Sequence, residues 1–209
     1  IRLATPLIFA ALGGLFSERS GVINIALEGL MLAGAFTAAV ATYQFHNPYL
    51  GLLCGVIAGG VLASVYAVAC IRFDADQVVT GMAINFLMIG LPALISGAVY
   101  DSAGSTPQID ITQQLPNLYH FIPIAQLGFL KDISLASFVV FLLVPICWYV
   151  LNKTPFGLRL RATGENPAAA DAAGVNVLRI RYIGVILSGI LAAAGGAYLS
   201  IGQSSLFTR

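Results

Sequence analysis

The sequence predicts an all-α, polytopic membrane protein, and three observations carry that prediction. Of its 209 residues, 58% are hydrophobic and only 9% are charged, against about a quarter charged in an ordinary soluble domain. Mean hydropathy is +0.90. The apolar residues also fall in long runs separated by short polar breaks, and most of those runs approach the ~20 residues a helix needs to cross a bilayer. About six spans are expected, in a single membrane domain over 1–209.

The first run, 3–16, is shorter than ~20 residues. The chain opens on Ile1, shows no signal-peptide pattern and stops at Arg209 just after a span, so we expect an internal piece of a longer protein, cut at both ends. A polar break, Ser17-Glu18-Arg19-Ser20-Gly21, leads into a second span expected over about 22–43. It carries Asn24 and Glu28 in its first two turns, four apart and therefore on one helical face. The third span, 49–71, has Gly51, Gly55 and Gly59 on one face, a pattern that lets a second helix approach closely where packing rests on van der Waals contact. The fourth, 78–100, follows Gln77, contains Asn85 and has Pro92 as an expected kink. Residues 101–132 read as a long polar loop whose apolar stretch 118–130 either lies on the membrane or dips into it. A fifth span covers 133–151. The sixth covers 183–202, where Ser188, Ala192 and Gly196 mark another close-packing face.

Between the last two spans lies a basic segment, 152–181. Residues 151–182 hold Lys153, Arg159, Arg161, Arg179 and Arg181, five of the ten Lys and Arg in the chain. Because basic residues stay in cytoplasmic loops, this segment is expected inside and the 101–132 loop outside, and Arg19 and Arg72 then also fall inside. Asn166 is placed to cap a helix that Pro167 begins, Ala168, Ala169 and Ala170 propagate it, and Gly174 closes it. The result is about two turns, too short to stand alone in water. Such a helix needs a partner surface.

The residues exclude several chemistries. A net charge of +1 offers no basic face for nucleic acid. His46 and His120 sit in separate loops, no paired carboxylates or metal-ligand spacing occurs, and the Gly13-Gly14 and Gly195-Gly196 pairs lack the Lys-Ser/Thr partner of a phosphate loop. Cys54, Cys70 and Cys147 are widely spaced within apolar runs and read as inert thiols. We therefore expect no enzyme active site and no metal. Glu28 stands out, since a carboxylate inside a membrane costs roughly 2.5–3.5 kcal/mol on insertion scales and must face protein or water. Two readings stay open for Asn24, Glu28, Gln77 and Asn85: a polar strip lining a solute pathway, or structural hydrogen-bond clamps.

Three stretches then resemble a known family: ERSGVINIALEGLMLAGAF (18–36), ADQVVTGMAINF (75–86) and TPFGLRLRATGENPAAADAAGVNV (154–177). They are similar to the permease subunits of ABC importers, above all the branch that serves nucleosides and simple sugars and is related to branched-chain amino-acid and ribose-type permeases. The resemblance covers nearly the whole chain. It implies a type II-like importer membrane domain in the bacterial cytoplasmic (inner) membrane, paired with a second, identical or paralogous permease. It also implies a cytoplasmic ABC ATPase dimer that binds ATP and Mg, so that this chain carries no cofactor, and an extracytoplasmic solute-binding (lipo)protein. Arg161, Gly164, Glu165, Asn166, Pro167, Ala168, Asp171 and Gly174 match the family's ATPase-coupling element. The Glu28 motif leans towards nucleosides, whereas Asn24-Ile25-Ala26 stands where ribose-type permeases carry Asp-Leu-Ser. The alternatives are the same machinery carrying a monosaccharide, an ion-coupled secondary transporter using Glu28, and a non-transporting scaffold.

Overall fold

A computed structural model describes residues 3–100 and 135–204. The 101–132 loop, with its 118–130 stretch, lies outside the described residues. Eight helices follow in order: α1 (Ala4–Arg19), α2 (Leu27–Phe45), α3 (Pro48–Ala67), α4 (Gln77–Tyr100), α5 (Leu135–Lys153), α6 (Pro155–Glu165), α7 (Pro167–Ala172) and α8 (Val177–Tyr198). A π-helical turn, Val68–Arg72, extends α3, and another, Leu199–Ser204, extends α8. Among the described residues there is no strand.

One local device starts three of these helices. Asn47, Thr154 and Asn166 each cap a helix through a side-chain oxygen, and each is followed by proline at the first helical position. Asn47 accepts from the Tyr49 amide at 3.0 Å, Thr154 from Gly157 at 3.2 Å and Asn166 from Ala169 at 3.0 Å. Asp76 does the same at the start of α4, accepting from Val78 and Val79, and Asn176 caps α8 by accepting from Arg179. Each cap contributes on the order of 1 kcal/mol by satisfying amides that the helix leaves unpaired.

Six long helices occupy the six apolar runs, but fewer qualify as complete spans. Pro48–Arg72, Gln77–Ala98 and Val177–Gly202 are long and apolar enough to cross a membrane, with a fourth if Ser137–Lys153 and Pro155–Glu165, bent by 71°, form one broken span. These are the spans that length and composition identify among the described residues, and the six long helices stand where the six spans are expected. Helix α1 has 16 described residues, and α2 has 19 with Glu28 in its first turn. The bend has its own cause. The Thr154-Pro155 cap begins a new helix, and a Cβ on Gly157 would overlap the carbonyls of Val150 and Leu151, so only glycine lets α6 fold back so closely onto the end of α5.

Helix α8 is the centre. Of its most apolar stretch 61% is buried, against 28% for α3 with its extension and 22% for α4. Contact with α8 is backbone-close because both sides are small. A Cβ on Gly196 would overlap the Met31 carbonyl in α2, one on Gly34 would overlap Ala193, and one on Gly13 of α1 would stand 2.6 Å from the Ser188 carbonyl. The α3 stripe serves two helices in succession. Gly51 faces Ala38 and Thr42 of α2, Gly55 faces Gly34 of α2 and Ala197 of α8, and Gly59 faces Ala193 and Gly189 of α8. This is how helices associate in lipid, where burying apolar surface between them gains little and contact must supply the rest. Helix α5 joins the periphery through α1, with Thr5 Oγ1 and Ser137 Oγ 2.8 Å apart.

Gly196→Leu is expected to lower stability by about 1–3 kcal/mol or to abolish folding, because side-chain atoms would have to displace backbone. Gly90→Ala, where nothing lies within 4 Å, should leave stability unchanged or raise it by ~0.5 kcal/mol. Thermal unfolding in detergent, read by intrinsic fluorescence, checks both.

Candidate functional site

The chain leaves the helix between α1 and α2. Gly21 takes a left-handed φ of +84°, residues 22–24 are irregular, and α2 begins only at Leu27. The expected second span starting at Val22 is therefore corrected, and with it the shared face of Asn24 and Glu28. Asn24 is 5% exposed in a non-helical stretch, whereas Glu28 is exposed on the first turn of α2. Periodicity cannot relate two residues that do not share a helix.

Side chains from four other elements hold this break in place. Ser17 Oγ at the end of α1 donates to the Val22 carbonyl at 2.6 Å. The Ile23 amide donates to Gln77 Oε1 at 2.8 Å, and the Ile23 carbonyl accepts from the Tyr66 hydroxyl at 2.7 Å. Asn24 Oδ1 accepts from the Ala26 amide, and its Nδ2 donates to Ser188 Oγ of α8 at 2.9 Å. Asn85 acts twice, donating from Nδ2 to the Ile25 carbonyl at 3.1 Å and accepting the Gly29 amide at 2.8 Å. Asn24, Gln77 and Asn85 thus each hydrogen-bond this chain's own groups. Glu28, the fourth of the polar set, has no hydrogen bond or ion pair among the described residues. Tyr66 is the contributor that sequence reasoning missed. It is fully buried, and its signal was a tyrosine deep in an apolar run whose hydroxyl needs a partner.

The basic segment forms the second part of the site. Where the sequence reading has one helix, the structure has two, α6 and α7, joined at Asn166, which ends one and caps the other. The missed signal was Thr154-Pro155, the same cap-and-proline pair as Asn166-Pro167. In α7, Ala168, Ala169, Asp171 and Ala172 are exposed, while Ala170 is 5% exposed and points inward. Gly174, at φ +83°, ends the turn, with its amide donating to the Asp171 carbonyl at 2.8 Å and the Val175 amide donating to Ala170 at 3.0 Å. An open groove of about 820 Å³ runs between α6, α7 and the start of α8, lined by Arg159, Glu165, Asn166, Ala169 and Arg179 among others. Leu158 and Leu178 nearby are 63% and 58% exposed.

The two parts touch through glycines. A Cβ on Gly164 of α6 would stand 2.5 Å from the Arg19 carbonyl, and one on Gly21 would stand 3.1 Å from Gly164 Cα. Gly184 of α8 packs against Ser20, Leu160 and Phe16 in the same way. The end of α6, the break and the start of α8 therefore meet backbone to backbone. Arg161, from the same turn of α6, is half-buried. Among the described residues no group of three or more His, Cys, Asp or Glu is placed to hold a metal.

Asn85→Leu should cost about 2–4 kcal/mol, since it strands the Gly29 amide and the Ile25 carbonyl at roughly 1–3 kcal/mol per unpaired buried group. Glu28→Gln, at an exposed position with no partner, should leave stability within ~0.5 kcal/mol of the parent. Fluorescence-detected size exclusion after graded heating separates the two outcomes.

Comparison with known proteins adds the family. Residues 1–207 match the family described as branched-chain amino acid transport system / permease component. The chain is 44% identical over 201 residues to the guanosine ABC transporter permease protein NupQ of Bacillus subtilis, covering 92% of this chain and 63% of that protein. It is 38% identical over 215 residues to the nucleoside ABC transporter permease protein NupC of Lactococcus lactis, covering 98% and 67%. It is 37% identical over 208 residues to the putative glucose ABC transporter permease protein TsgC13 of Haloferax volcanii, covering 99% and 63%. The chain spans about two thirds of the length of these curated relatives. No solved structure matches it. A match over almost the whole chain, on a nearly all-helical fold with apolar helices of spanning length, settles the assignment: the chain belongs to the branched-chain amino acid transport system permease family, multi-pass membrane components of transporters.

Proposed function

We propose that this chain is the core of the permease subunit of an ATP-driven importer that carries a nucleoside-like solute across the bacterial cytoplasmic membrane. The observation that carries the reading is α7. It is a six-residue helix capped by Asn166 and closed at Gly174, and its exposed face is almost all alanine. An isolated helix shorter than ~12 residues is marginal in water, so this one is held in shape by its caps and its mount on α6. A smooth, rigid face of this kind, beside a groove and exposed Leu158 and Leu178, suits docking into a partner. Residues 152–181 are proposed to lie in the cytoplasm and to seat on an ABC ATPase dimer, with Arg161, Gly164, Glu165, Asn166, Pro167, Ala168, Asp171 and Gly174 forming the coupling element.

The rest of the machine follows from that role. Hydrolysis belongs to the ATPase, which binds ATP and Mg, and this chain carries no cofactor. A second permease subunit completes the pathway, and an extracytoplasmic solute-binding protein delivers the solute. ATPase closure pushes on α7. The Gly164–Gly21 contact passes the displacement to the break, and Asn24–Ser188, Gln77 and Asn85 spread it to α8 and α4. With those three amides bonded to the chain, Glu28 is the pathway candidate of the original four, since a carboxylate can accept from solute hydroxyl and ring N–H groups.

The nucleoside reading leans on the two relatives named for guanosine and nucleoside transport. A sugar is the second reading, favoured by the glucose-named relative. Binding assays on the partner solute-binding protein separate the two. An ion-coupled mechanism at Glu28 requires uptake that collapses with the ion gradient and survives ATP depletion. The ATP-driven reading requires the reverse.

Replacing Ala168 and Ala169 together with glutamate leaves the buried Ala170 contact intact. It is expected to cut uptake at least tenfold while the permease remains folded, with ATPase co-purification reduced in parallel. Uptake in vesicles and pull-down of the ATPase measure this. Normal uptake with a normally assembled ATPase removes the coupling assignment.

A further inference from the structure

A second cleft, of about 330 Å³, opens between α1, α5 and α6. Its lining is divided by chemistry along the helix axes. Arg19 and Asn152 stand where α1 and α5 end, with Arg161 on α6, whereas Leu15 and Val144 line the cleft further in. Leu15 lies one turn before Arg19 and Val144 two turns before Asn152, ~6 Å and ~12 Å deeper at 1.5 Å per residue. Trp148 lines the cleft between these levels, and Lys153 Nζ stands 6.0 Å from its ring centroid. Among the described residues no acid lines the cleft; Glu18, beside Arg19, is exposed and outside it. The Arg161 Nε–H is buried without a hydrogen-bond partner among the described residues. Two guanidinium groups on one wall with no counter-charge suit an anion.

We propose that this cleft binds an anionic phospholipid of the surrounding bilayer, with the phosphate on Arg19 and Arg161 and an acyl chain running inward past Val144. Guanidinium forks match phosphate oxygens in pairs. Basic pockets between membrane helices suit anionic head groups, and tryptophan and lysine favour that depth. A free phosphate matches the arginines but gains nothing from the apolar half. The inference needs only that the chain spans a membrane; it shares Arg161 with the proposed coupling element, and lipid retention is read without the ATPase, so the two can fail separately.

The test uses the full-length permease in phosphatidylcholine nanodiscs doped with phosphatidylglycerol, with retained lipid counted by native mass spectrometry. The parent protein is expected to retain phosphatidylglycerol in preference to phosphatidylcholine. The double change Arg19→Gln and Arg161→Gln should weaken that retention by roughly 25-fold, at about fivefold per cation. Val144→Trp, at a position 40% exposed and with both arginines kept, should weaken it also, and supplies the answer if the double variant does not fold. Arg72→Gln, away from the cleft, should change nothing. Retention unchanged in Val144→Trp and in a folded arginine variant, no preference over phosphatidylcholine, or full displacement by millimolar inorganic phosphate would each overturn the proposal.

Discussion

The structure depends on one constraint: a stretch of non-helical backbone, with Val22, Asn24 and Ala26 buried, lies among apolar helices and must have its polar groups met. Residues 22–26 leave the helix, and without partners each buried amide or carbonyl would cost several kcal/mol in such surroundings. Ser17, Tyr66, Gln77 and Asn85 supply those partners from α1, α3 and α4, while Asn24 ties the break to Ser188 of α8. Every long helix of the central bundle is therefore registered against the same few residues. Helix α8 can sit at the centre because its neighbours approach it through glycine and alanine, and the break fixes where along α8 they do so.

This arrangement places the mobile part of the proposed cycle beside the most constrained part of the fold. Helix α7 is small and its face is exposed, but α6 beneath it rests on the break through Gly164 and Gly21. Those contacts involve backbone on both sides, which cannot rotate away as a long side chain can. A push on α6 is thus taken up by the hydrogen-bonded break rather than absorbed by side-chain motion. The hydrogen bonds at the break are few and individually worth about 1 kcal/mol net, so their rearrangement lies within the range that partner binding can drive.

Much of this was legible in the sequence, for physical reasons that differ by region. The all-helical membrane class followed from composition. The Asn166-Pro167 start and Gly174 end of α7 followed from capping chemistry, which is local and readable from a few residues. Thr154-Pro155 carried the same signal for α6 and was masked by the charged residues that follow. The irregular stretch at 22–26 was not readable, because Val22, Ile23, Ile25 and Ala26 are as apolar as the helix after them. What breaks the helix there is Gly21 together with hydrogen-bond partners 43 to 164 residues distant, such as Tyr66, Gln77 and Ser188. Likewise, Asn24, Gln77 and Asn85 drew attention as polar residues in apolar runs. Only their long-range partners show that they bond to the chain itself.

The central claim is that the proposed coupling helices and the break move as one unit. Amide hydrogen exchange of the full-length permease bound to its ATPase, compared with and without a non-hydrolysable ATP analogue, tests it most directly. The account predicts that nucleotide changes exchange over 21–26 whenever it changes exchange over 166–174. Protection that changes over 166–174 while 21–26 stays constant would contradict it.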